Sequence, residues 1–172
     1  MIHLYTGDGK GKTTAAVGLT VRAAGCGMRV IFSQFMKGNE TGELHVLEQI
    51  SGVRILRSPK NFGFYKTLSD GEKAELARIH DGILEQVLEA VKSRKCDMVI
   101  LDEITYPVNW ELLDASGLKE LLELSKKQDV ELVMTGRSPA AFLVDCADYV
   151  TEMKAVRHPF TKGVSARRGI EY

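Results

Sequence analysis

The sequence lacks a charge imbalance: 23 Lys and Arg face 23 Asp and Glu. No global field therefore draws the chain to nucleic acid or to an anionic membrane surface, and any anion site must be local. Cysteines are few. Cys26, Cys96 and Cys146 are an odd number, widely spaced, with no Cys-x-x-Cys pair, which excludes a thiolate zinc site or a dithiol redox centre. Their apolar surroundings predict buried free thiols. No apolar run approaches the length of a membrane span or a secretory signal, and the chain opens directly on a predicted strand, so a cytoplasmic protein without a membrane partner is expected. Low-complexity stretches and solenoid-length repeats are missing as well. The 172 residues suit one domain, 1–172, that buries roughly two-thirds of the surface its unfolded form would expose.

What is present is concentrated at the N-terminus. Ile2 to Tyr5 reads as a short buried strand and runs into Thr6-Gly7-Asp8-Gly9-Lys10-Gly11-Lys12-Thr13-Thr14. Strand, glycine-rich turn and Gly-Lys-Thr make a phosphate-binding loop. Its glycines let consecutive N–H groups converge on one anion, Lys12 supplies a point charge, and the Thr13 hydroxyl suits Mg²⁺. A helix over Ala15 to Cys26 turns its positive end to the same phosphates. The loop departs from the usual spacing, because Thr6 stands at the first glycine position and the glycine follows at Gly7. A slightly reshaped loop is expected.

Further along, apolar runs alternate with helical periods. Strands are predicted over Met28 to Phe35, Val53 to Leu56, Met98 to Glu103, Val130 to Met134 and Tyr149 to Met153. Helices are predicted over Glu43 to Ile50, from a Ser69/Glu72 capping box through Val91, over Leu118 to Lys126 and over Pro139 to Cys146. Connections too long for hairpins imply an α/β fold, a mainly parallel sheet with helices on both faces. Polar residues at carboxyl ends of strands in such a sheet face the ligand crevice. Gln34 and Lys37 are thus candidate ligand contacts or part of a solvated loop, and Arg137 a phosphate fork or a surface arginine. Met98 to Leu101 ends in Asp102 and Glu103, the form of a Walker B segment whose acid holds Mg²⁺ directly or through water beside Thr13. His80 lies on an apolar helix stripe and reads as a hydrogen-bonded core residue. The loop Ser58 to Lys66 carries Phe62, Phe64 and Tyr65, which either serve a ligand or fold back to plug the core.

Several segments together resemble one family, the P-loop ATP:corrinoid adenosyltransferases. They are Gly7 to Thr14, Gln34-Phe35-Met36-Lys37-Gly38, Leu101-Asp102-Glu103-Ile104-Thr105-Tyr106, Thr135-Gly136-Arg137, and the ending from Ala147-Asp148 through Val156-Arg157-His158-Pro159-Phe160 to Gly169-Ile170-Glu171-Tyr172. The resemblance covers essentially the whole chain. It implies a Co(I) corrinoid, cobalamin or cobyrinic acid diamide, that attacks the 5′ carbon of ATP and releases triphosphate. It also implies ATP lying in reverse of the usual P-loop direction, Mg²⁺ held by Thr13 with Glu103 and Asp102, and Phe62 and Phe64 packed under the corrin ring. An electron-donating reductase and a homodimer are implied partners. Two other classes fit the residues: a RecA-like P-loop ATPase or nucleotide switch, with Glu103 orienting water, and a non-catalytic ATP-binding or corrinoid-delivering module.

Overall fold

A computed structural model describes residues 1–171, so Tyr172 of the predicted C-terminal motif lies outside the described residues. Six strands form one sheet: β1 (Ile2–Thr6), β2 (Val30–Gln34), β3 (Val53–Arg57), β4 (Met98–Asp102), β5 (Glu131–Thr135) and β6 (Tyr149–Glu152). Their order is β3-β2-β4-β5-β1-β6, and every pairing is parallel. Parallel neighbours need long crossovers. These are α1 (Lys12–Gly25), α2 (Gly42–Leu47), α3 (Asp70–Lys92), α4 (Thr105–Asn109), α5 (Ala115–Gln128) and α6 (Ala141–Cys146).

Burial explains why the strands read so clearly. On one face Leu4, Ile31, Val99 and Leu132 pack with the stripes of α3 and α5, among them Leu84, Val87, Leu118 and Leu121. On the other, Phe32, Ile100 and Val133 meet Ala16 and Ala23 of α1, whose small side chains let the helix lie close. All five residues of β2 and of β4 are buried, so their apolar residues, Val30 to Phe32 and Met98 to Leu101, run consecutively rather than alternating before each strand ends in polar residues. The Ser69/Glu72 capping box starts α3: the Ser69 hydroxyl accepts from the Glu72 amide, and the Ser69 amide donates back to the Glu72 carboxylate at 2.9 Å.

Some expectations are corrected. The first helix begins at Lys12, inside the glycine loop, because Gly11 caps it at φ 117°. The single-turn helix α4 was not predicted. Cys96 is buried, and burial pushes its thiol up to about 11, but Cys146 is half-buried and Cys26 is exposed. Cys26 follows the last turn of α1 as its C-cap, its amide donating to the Arg22 and Ala23 carbonyls, so its side chain leaves the packed face despite apolar neighbours.

His80 is fully buried on α3, one ring nitrogen 3.0 Å from the Leu112 carbonyl and the other accepting from the Met36 amide at 3.3 Å. Burial lowers its pKa below the ordinary 6.5. Below that pH the unfolded chain binds a proton that the folded chain refuses, so unfolding free energy falls with pH from about 6.5 downwards. Asp97 works in a separate window: hydrogen bonds from Arg29 hold it at about 2 against an ordinary 3.8, so its contribution is lost only as pH falls through that lower range. Urea titrations between pH 7 and 5 are expected to show the His80 step, flattened in His80→Gln; an equal slope in the variant would refute the assignment.

Candidate nucleotide and cation site at the carboxyl edge of the sheet

Register brings the polar strand ends together. Gln34 lies opposite Asp102, and Tyr5 opposite Thr135. The glycine loop leaves β1 at this edge. Thr6 is still a strand residue, buried and paired with Glu152, which is why the first turn residue is Gly7, at φ 96°. The chain leaving β6 presses on the loop. The Gly9 amide donates to the Met153 carbonyl at 2.6 Å, and a Cβ on Gly7 or Gly9 would stand 2.5 or 2.6 Å from that oxygen.

Lys12 is only 7% exposed and spans the loop, its ammonium donating to the carbonyls of Gly7 (2.6 Å) and Gly9 (2.8 Å). Burial lowers its pKa, as does nearby Arg137, against the pull of Glu103, Asp8 and Asp102. Asp8, Lys10 and Thr14 are exposed. Arg137 flanks the outer side of the loop, donating to the Asp8 carbonyl at 3.4 Å.

Asp102 is the hub. Fully buried, it accepts from the hydroxyls of Thr13 (2.9 Å) and Thr135 (2.7 Å), the Lys37 ammonium (2.7 Å) and the Gln34 amide (3.4 Å). Glu103 follows in a left-handed conformation, φ 63°, its amide donating to Thr135 Oγ1 at 2.9 Å. Burial, then the charge of Asp102, raises the Glu103 pKa, while Lys37, Lys12 and Arg137 pull it down. Its Oε2 is buried without a partner, as is Gln34 Oε1. The Asp102 and Glu103 carboxylates, the second with an orphaned oxygen, and the Thr13 hydroxyl are hard oxygen donors of the kind that suits a divalent cation such as Mg²⁺. Among the described residues no three His, Cys, Asp or Glu side chains gather around one point. A cation here therefore needs oxygens from the nucleotide as well, which is how Mg²⁺ is commonly held.

Beside this edge lies a cleft of about 1260 Å³, with Thr13, Thr14, Lys37, Glu43, Phe64 and Ile170 among its walls. The two fates considered for the aromatic loop divide between its rings. Phe64 stands 85% exposed on the cleft. Phe62 instead turns into the Leu68, Leu76 and Leu112 cluster, with the Lys60 ammonium 4.6 Å from its ring centre. Tyr65 stacks on Trp110, centroids 4.1 Å apart and planes at 8°. The turn after β2 is wedged against this loop, since a Cβ on Gly38 would stand 2.4 Å from the Lys60 carbonyl; the Asn39 and Asn61 side chains are also hydrogen-bonded.

Sequence reasoning missed Thr135 as a partner of Asp102 and Trp110 as the anchor of the aromatic loop. Tyr106 and Trp110 are four residues apart, the spacing of stacked helical neighbours, and their rings lie 5.1 Å apart on and just after α4. That spacing was the available signal.

This geometry has relatives. Among solved structures, the KaiC-like protein PH0186 of Pyrococcus horikoshii OT3 superposes with a TM-score of 0.58 at 15% identity, over 89% of this chain and 70% of that one. The flagellar accessory protein FlaH of Methanocaldococcus jannaschii gives 0.56 at 15% identity, over 88% and 69%. The shared architecture is the RecA-like P-loop α/β fold. In sequence, the corrinoid adenosyltransferase of a Sinorhizobium species is 32% identical over all of this chain and 80% of its own length. That of Escherichia coli K12 is 33% identical over all of this chain and 85% of its own, and the corrinoid adenosyltransferase CobA of Salmonella typhimurium LT2 is likewise 33% identical. A profile of the ATP:corrinoid adenosyltransferase BtuR/CobO/CobP family matches residues 1–172, so a phosphate loop, a buried carboxylate hub and a wide cleft here belong to an enzyme of the transferase class, and the chain is a member of that family.

Proposed function

We propose that this chain, as one domain, transfers the 5′-deoxyadenosyl group of ATP to the Co(I) of a corrinoid, cobalamin or cobyrinic acid diamide. The C5′–O5′ bond breaks, triphosphate leaves with its electron pair, and cobalt gives up two electrons as the Co–C bond forms. The observation that carries the reading is the cleft. At about 1260 Å³ it exceeds the roughly 300–1,000 Å³ of common small-molecule pockets, it opens on the phosphate loop at one end, and it carries the bare ring of Phe64.

Negative charge grows on the departing triphosphate, so fixed positive groups raise the rate by stabilising it as it appears. Lys12 and the amides of Gly7 to Thr14 would supply that field, with Arg137 on the flank and Gln34 behind the strand ends. Mg²⁺, bound through Thr13, Asp102 and Glu103, would supply further charge neutralisation at the triphosphate. No side chain need move a proton, because cobalt is the nucleophile and triphosphate leaves unprotonated. Phe64 would lie against the corrin face and keep water from it, with Phe62 and Tyr65 bracing the loop beneath. A low-potential reductase would supply the electron that makes Co(I), and a cytoplasmic homodimer is the assembly the family resemblance suggests. Among the described residues no helix is long and apolar enough to cross a membrane.

Incubation with ATP and a chemically reduced corrinoid should give a light-sensitive Co–C product and intact triphosphate. Release of phosphate or pyrophosphate instead would return the chain to the ATPase reading. In the same assay Phe64→Ala should slow product formation about tenfold, the scale of one lost aromatic contact, without weakening ATP binding.

A further inference from the structure

Lys37 occupies an unusual place for an exposed-loop residue. Met36 takes a left-handed φ of 58° just after β2, which turns Lys37 back across the strand ends. The wedge between Gly38 and the Lys60–Asn61 backbone holds that turn. The ammonium then stands 2.7 Å from Asp102 Oδ2 and 3.1 Å from Thr13 Oγ1. The Lys37 side chain is 25% exposed and that of Asp102 is 0%, so the lysine is the route by which the buried carboxylate is neutralised from the cleft side.

These two oxygens are among those that a divalent cation would take, so both positive groups cannot hold them at once. Like charges at such a separation repel strongly in a partly desolvated site, and a carboxylate stripped of its partner in that setting is costly. We propose that Lys37 is an exchangeable resident cation: it neutralises Asp102 in the free protein and yields the Asp102 and Thr13 oxygens when a divalent cation arrives with nucleotide. The inference rests on the reading of Thr13 and Asp102 as cation ligands. It makes divalent-metal binding weak without nucleotide, because the competent form is the minor one, and strong with it, where triphosphate oxygens repay the displacement. Lys37 is accordingly a positioning residue for the cation.

The test is Mn²⁺ binding to the full chain, read from the free Mn²⁺ resonance with and without ATP. If Lys37 blocks the site most of the time, Lys37→Met should bind Mn²⁺ at least ~10-fold tighter than the wild type without nucleotide, the apparent affinity scaling with the fraction of open site. Lys37→Arg, which keeps the charge, should not. Should Lys37→Met fail to fold, Lys37→Gln retains a donor to Asp102 and removes the charge. A folded, uncharged variant that binds Mn²⁺ no better than wild type without nucleotide overturns the inference. The parent reading is tested separately by Asp102→Asn with ATP present. If that variant loses Mn²⁺ while Lys37→Met gains nothing, the cation site stands and only the exchange falls. If Asp102→Asn binds Mn²⁺ normally, both fall.

Discussion

Lys12→Met is expected to lower the rate of Co–C bond formation by about 10²–10³, the loss seen when one preorganised charge-stabilising donor is removed from a reacting centre. The size follows from where the ammonium sits. It is fixed across the loop by two backbone carbonyls at 2.6 and 2.8 Å, and it is shielded from water, so its field reaches a triphosphate with little screening. The same burial argues that the fold will survive. Lys12 is held at a desolvation penalty, which is the leading cause of its lowered pKa, and methionine keeps the length of the side chain without that penalty, which offsets the loss of its two hydrogen bonds to the loop carbonyls. Single-turnover kinetics with reduced corrinoid, beside a thermal melt, separate the two. A rate within tenfold of wild type would mean that charge on the leaving group is stabilised elsewhere, with Arg137 the nearest alternative.

Much of this site was legible in the sequence because its parts lie at strand ends, and strands buried on both faces write themselves as apolar runs. Asp102 could be placed at the edge from Met98-Val99-Ile100-Leu101 alone, and Thr13 from the loop pattern. The contacts among them were not legible. That β5 lies between β4 and β1 is a pairing across more than a hundred positions, and no local period encodes it. The Thr135 bond to Asp102 depends on the pairing of β4 with β5, which is likewise absent from any local period. Lys37 could be named as a ligand contact, yet its reach to Asp102 depends on the left-handed turn at Met36, a conformation that methionine does not advertise. The aromatic loop has no period at all, so the divergence of Phe62 into the core and Phe64 into the cleft is decided by what lies beneath each ring. The Leu68, Leu76 and Leu112 cluster receives Phe62, while Phe64 has only the cleft.

Gly7→Ala is expected to destabilise the chain by about 3 kcal/mol, for two reasons that can be separated. A left-handed φ costs an L-residue about 1–2 kcal/mol, and Gly7 stands at φ 96°. Its Cβ would also overlap the Met153 carbonyl at 2.5 Å, and forcing an extra carbon into a filled space typically costs about 1–3 kcal/mol. Relief requires the end of β6 to peel from β1. That breaks the Met153 amide to Thr6 carbonyl bond, 2.8 Å, and the Gly9 amide to Met153 carbonyl bond. Gly9→Ala meets the same oxygen at 2.6 Å without a left-handed φ, so it should cost less than Gly7→Ala by roughly the first term alone. For a chain of this size 1 kcal/mol moves Tm by about 2–4 °C, so Gly7→Ala should melt roughly 6–12 °C lower. Both variants should bind ATP more weakly, because the amides that converge on phosphate are displaced. Gly82→Ala supplies the opposite sign: it lies inside α3 with nothing within 4 Å of a new Cβ and should gain about 0.5–1 kcal/mol from helix propensity. If Gly7→Ala melts no lower than wild type, the chain leaving β6 does not grip the phosphate loop, and the close approach of Met153 is not what selects glycine there.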